Sequence, residues 1–128
     1  MAEERNRVVE SLELAARMIE AAGSGAELRS ALRDGLSGVE FHSDTLAKEL
    51  AKDPADPRAL DPALRPRAQR VEDGLHALLV TAWELLTLGD EELAATPKRA
   101  ALVKALRAAE SAETALVFDH LMAPQGID

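Results

Sequence analysis

The feature that most constrains this chain is an apolar seam recurring every three or four residues: Leu64, Ala68, Val71, Leu75, Leu78, Ala82, Leu85 and Leu86. At about 100° per residue these positions share one face of a helix. A strand, with its period of two, would scatter them over both faces. Three other stretches carry the same period. Val8, Val9, Leu12, Ala15, Ala16 and Ile19 form one, and Leu28, Leu32, Leu36, Val39, Ser43, Leu46 and Leu50 the next. Leu102, Val103, Leu106, Ala109, Leu116, Val117 and Leu121 form the last. Aromatics make up only 2% of the residues and Tyr is absent, which disfavours sheets.

Punctuation sets the boundaries. The first helix is predicted over 3–22, ended by Gly23. Ser24-Gly-Ala-Glu27 has capping-box spacing and opens a second helix over 25–52. Gly35 and Gly38 lie inside it; each costs up to ~1 kcal/mol against Ala, so they predict a close helix crossing or a break. Three Asp-Pro steps between Asp53 and Pro62 then disfavour helix. Asp61 caps a third helix over 62–88 with Pro62 in its first turn, and Pro66 fits if the helix proper starts a few residues later. A short turn runs from Asp90 to Ala95, and Thr96-Pro97 opens the fourth helix, 97–122. Residues 123–128 are expected to be a flexible tail. Four amphipathic helices with short connections predict an all-α fold, an antiparallel up-down four-helix bundle in one domain over 1–128.

Bulk properties narrow the function classes. The formal charge of −8 argues against nucleic acid and against an anionic membrane surface as partners. The absence of Cys removes disulfides, thiolate metal sites and Cys nucleophiles together. No apolar run approaches membrane-spanning length, and Met1 to Val9 is charged rather than signal-like. A cytoplasmic, bacterial-style protein is the expectation.

Within the last seam one residue conflicts with its neighbours. Glu113 falls almost at the centre of the apolar stripe, with Glu110 and His120 on the same side. A buried carboxylate must be paired, hydrogen-bonded or metal-bound. Counting about 1.5 Å per residue from the Asp-Pro end places Glu113, His42 and Glu72 at one height, ~15 Å, with Glu110 and His76 roughly a turn higher. One answer is a metal site: Glu110, Glu113, Glu72, His42 and His76 would offer oxygen and imidazole donors from three helices, a set suited to iron, manganese or zinc. The segment Ala26 to Leu32, followed by Glu40 to Leu50, resembles the second helix of small ferritin-like bacterial proteins. That resemblance implies a carboxylate-bridged metal site between helices. The chain departs from the pattern in having Glu110-x-x-Glu113 where such families place Glu-x-x-His, and Glu10 points away from the first stripe. The other answer needs no ligand. Arg5 falls on the first stripe at the height of Glu113, so a structural Arg5–Glu113 ion pair, helped by the Ser43 hydroxyl, satisfies the carboxylate.

Three further features complete the inventory. Glu72 and His76 are four apart, an ordinary helical neighbour pair. Ala77-Leu-Leu-Val after His76 lacks the Lys and small residues of histidine phosphotransfer domains, and Arg70 with His76 has the Arg-to-His spacing of HEPN-type ribonucleases but Val71 where a polar residue is usual. Arg58, Arg65, Arg67 and Arg70 form a basic cluster best matched locally by Asp53, Asp56 and Asp61. Lastly Phe41 and Phe118, two of the three aromatics, sit off the main stripes, Phe118 near Met122, and Val80, Leu88 and Leu14 add apolar residues to helix backs. Such a surface suits self-association or docking to a partner protein. With no nucleophile–base pair or phosphate loop, the leading expectation is a non-catalytic helical domain without a cofactor, acting as a homodimer or on a partner protein.

Overall fold

A computed structural model describes residues 11–122 of the chain. These fold as five helices: α1 (Leu12–Ala21), α2 (Gly25–Ala51), α3 (Arg65–Leu85), α4 (Asp90–Ala95) and α5 (Lys98–Met122), with a 3-10 turn at Pro62–Leu64 leading into α3. Among the described residues there is no strand.

Local chemistry explains most ends. Ser11 is extended and its hydroxyl accepts from Leu14 N–H at 2.9 Å, so α1 starts at Leu12 although the periodicity predicts helix from Glu3. The earlier part of that prediction lies outside the described residues, as does the predicted tail. Ser24 accepts from Glu27 N–H at 3.1 Å and opens α2. Asp53, Asp56 and Asp61 each accept a backbone N–H two residues on, which turns the Asp-Pro segment back on itself. Pro66 falls in the first turn of α3, where no donor is missed.

The predicted turn from Asp90 to Ala95 is instead a helix. Gly89 O accepts from Leu93 N–H at 2.8 Å, and the Glu92 carboxylate accepts from Gly89 N–H at 3.3 Å. Its three leading acidic residues, Asp90, Glu91 and Glu92, favour a helix N-terminus. Leu93 then anchors it, fully buried against the core.

Packing follows the seams. α1 lies against α2 and α5, α3 lies against α2 and α5, and α4 rests on α2. Leu12, Ile19, Leu28, Leu32, Leu75 and Leu106 are almost completely enclosed, each worth roughly 1.5–3 kcal/mol in burial. Gly35 resolves the alternative posed by its sequence: α2 is unbroken there, and a Cβ would sit 3.5 Å from Ala15 Cβ and Ile19 Cδ1, a close crossing with α1.

Three arginines close helix C-termini, where terminal carbonyls lack partners. Arg29 donates to Leu86 O at 3.0 Å and Leu88 O at 2.5 Å, and to Asp90 Oδ1 at 3.0 Å. Arg99 donates to Ala22 O at 2.7 Å, and Arg65 to Leu50 O. Two of the basic cluster therefore do not serve the Asp-Pro loop: Arg65 caps α2, and Arg67 reaches Asp119 at 2.6 Å to tie α3 to α5. Gly74 gives a first expected outcome. It lies exposed within α3 with nothing within 4 Å of an added Cβ. Gly74→Ala should raise stability by up to ~1 kcal/mol, read as a higher urea midpoint at unchanged slope.

Candidate functional site

The carboxylate singled out in the sequence is answered by an imidazole. His42, on α2, places Nδ1 2.6 Å from Glu113 Oε1 on α5, and both side chains are only 14% exposed. Nδ1–H donates to the carboxylate, which answers the half-buried Glu113. One residue along α2, the buried Ser43 hydroxyl donates to Glu72 Oε2 on α3 at 2.5 Å. Two polar links at one level thus join α2 to both α5 and α3. The sequence-derived heights put His42, Glu72 and Glu113 in one layer, and these contacts agree.

The pairing differs in detail from the expectation. Ser43 serves Glu72 rather than Glu113. Arg5, the structural partner expected for Glu113, lies outside the described residues. Glu110 is half-buried and accepts from Thr114 Oγ1 at 3.1 Å, one turn along its own helix. His76 is exposed on α3. Among the described residues no three His, Asp or Glu side chains are grouped to hold a metal ion, so the five donors read from the sequence are divided among separate contacts.

Around the His42–Glu113 pair lies a groove of about 500 Å³. Its described walls are Phe41, His42 and Thr45 from α2, and Glu113, Thr114, Val117, Phe118 and Leu121 from α5. Phe41 meets His42 edge-on, ring centroids 5.7 Å apart and planes at 89°, which braces the imidazole against Glu113. Both phenylalanines of the chain therefore share one depression, floored by the polar pair and lined by Val117 and Leu121, both exposed.

Val117 and Leu121 correct the sequence reading. They continue the apolar stripe of the last helix and were expected inside, yet they are 51% and 72% exposed. Beyond Leu106 only Leu116 of α5 is fully buried among the described residues. Among the described residues the stripe outruns α1, which begins at Leu12, while α2 and α5 continue to Ala51 and Met122. Thr45 and Thr114 were not singled out from sequence; their position one turn from His42 and beside Glu113 was the available signal. Of the back-face apolar residues, Leu88 packs on the core and Leu14 is half-buried, while Val80 stays exposed near Trp83 on α3, away from the groove.

No described helix is long and apolar enough to cross a membrane. Comparison with protein-family models, curated proteins and solved structures gives no match for this chain.

Proposed function

We propose that this protein is a non-catalytic helical domain that acts by protein–protein association, with the α2/α5 groove as the contact surface and a second copy of the chain as its occupant. The observation that carries this reading is the gathering of Phe41, Phe118, Val117 and Leu121 into one exposed apolar groove, in a chain with only two phenylalanines. Apolar surface of this extent at a concave site marks association. Phe118 both lines the groove and stands 61% exposed. Knob and hole thus lie on the same face, and two copies related by a twofold axis can each place Phe118 in the other's groove.

The same reading takes the architecture as an antiparallel up-down four-helix bundle with α4 inserted before the last helix. The closed ring of neighbours (α1 with α2, α2 with α3, α3 with α5, α5 with α1) supports it.

Sedimentation equilibrium at rising concentration tests the association. The wild-type chain should show a concentration-dependent rise in mass toward dimer, and Phe41→Ser with Phe118→Ser should weaken it at least tenfold, since burying each ring contributes over ~1 kcal/mol. Equal masses for both proteins throughout would refute the groove as the interface.

A further inference from the structure

We propose that the N-terminal segment, residues 1–10, docks in cis in the α2/α5 groove and competes there with the second copy; the inference rests on the association reading above and adds its regulation.

The course of α1 aims the chain at the groove. Arg99 reaches Ala22, while Arg107 reaches Glu13 at 3.4 Å. Stepping back along α1 therefore moves forward along α5, and the next stretch of α5 is Glu113 to Leu121. On α2 the same direction leads from Gly35, beside Ala15, to Phe41 and Thr45. The described structure begins at Ser11, at the end of α1 that these contacts turn towards the groove. Length is sufficient. From Glu113 to Leu121 the groove runs eight residues of helix, about 12 Å. Ten residues span about 15 Å as helix and about 33 Å extended.

The chemistry of the segment matches the groove. Val8 and Val9, the apolar pair nearest Ser11 in sequence, match in kind the walls made of Phe41, Val117, Phe118 and Leu121. Arg5 and Arg7 carry charge complementary to Glu113 and Glu110. Ser11 also makes the segment a separate unit. Its backbone is extended, at φ −106° and ψ 104°, and its hydroxyl starts α1 afresh. Docking can therefore be made or broken without unwinding α1. Occupancy sets the strength of competition: both copies must be open to pair, so a segment that fills the groove in about nine molecules of ten weakens apparent dimerisation about a hundredfold.

The test uses the full chain. Its few aromatic rings make Phe41 and Phe118 clean reporters, because both lie in the groove. In isotope-edited NMR on dilute protein, nuclear Overhauser contacts should join Val8 and Val9 methyls to Phe ring protons, and should be absent between chains in a mixed labelled and unlabelled sample. No contacts, or contacts only between chains, would overturn docking in cis. In parallel, Val8→Asp with Val9→Asp should tighten dimerisation about a hundredfold by sedimentation, and adding Phe118→Ser should reverse that gain. Intrachain contacts with an unchanged dimer constant would overturn the competition. Intrachain contacts in a chain that stays monomeric in every variant would uphold docking in cis and remove self-association instead. The NMR arm needs no substitution, so a variant that fails to fold leaves the proposal decidable.

Discussion

Glu113→Ala should lower the stability of this domain by about 2 kcal/mol, while His42→Leu with Glu113→Leu should leave it unchanged or raise it. The argument is one of unpaired groups. With both side chains 14% exposed, water reaches neither freely. Removing the carboxylate takes away the acceptor that lies 2.6 Å from His42 Nδ1, at a site walled by Phe41, Val117 and Phe118, and a loss of that kind costs roughly 1–3 kcal/mol. The residual exposure keeps the loss below the ~3–5 kcal/mol seen when a fully buried ion pair is broken. Removing both partners takes away that donor and that acceptor together, and leucines suit walls that are already apolar. For a domain of this size the single variant should melt about 6–10 °C lower. Thermal unfolding of the wild type, His42→Leu, Glu113→Leu and the double variant closes the cycle. A double variant that loses the sum of the two single losses would show that His42 and Glu113 do not act as a pair.

The same residues show how far the sequence could be read. The helical seams were legible because Leu12, Leu28, Leu75 and Leu106 need only the 3.6-residue period to find the core, and each is buried. Glu113 was legible as an anomaly, since a carboxylate in an apolar stripe demands a partner whatever the fold. The partner's identity was not. His42 sat on the flank of its stripe, and a rotation of α2 of a few tens of degrees decides whether it or Ser43 reaches Glu113. Periodicity does not fix that rotation; packing of Gly35 against Ala15 and Ile19 does. Phe41 and Phe118 were each visible as apolar residues off their stripes, but their convergence depends on a contact between helices far apart in sequence. α4 was missed because six residues carry too little periodicity, although the acidic run after Gly89 was its signature. The arginines that cap α1, α2 and α3 were invisible for a simpler reason: their acceptors are backbone carbonyls, present at every position.

A second large effect is expected where two helix ends touch. Gly25→Ala should destabilise the domain by about 3 kcal/mol, the upper part of the range for overpacking. A Cβ at Gly25 would lie 2.1 Å from Asp90 O, 2.7 Å from its C and 2.9 Å from its Cα. These are backbone atoms, which cannot turn aside as a side chain would. Relief requires the start of α4 to move away from the start of α2. That motion lifts Leu93 from its fully buried site and stretches the Arg29–Asp90 bond of 3.0 Å. Arg29 also holds Leu86 O and Leu88 O, so the closure of α3 is strained with it. The comparison that isolates the cause is Gly35→Ala, also buried in α2. There the new methyl meets Ala15 and Ile19 at 3.5 Å, ordinary contact, and the gain in helix propensity of up to ~1 kcal/mol stands. Urea unfolding should therefore separate the two alanine variants by about 3–4 kcal/mol in opposite directions from wild type. Equal behaviour would mean that α4 does not rest on the N-terminus of α2.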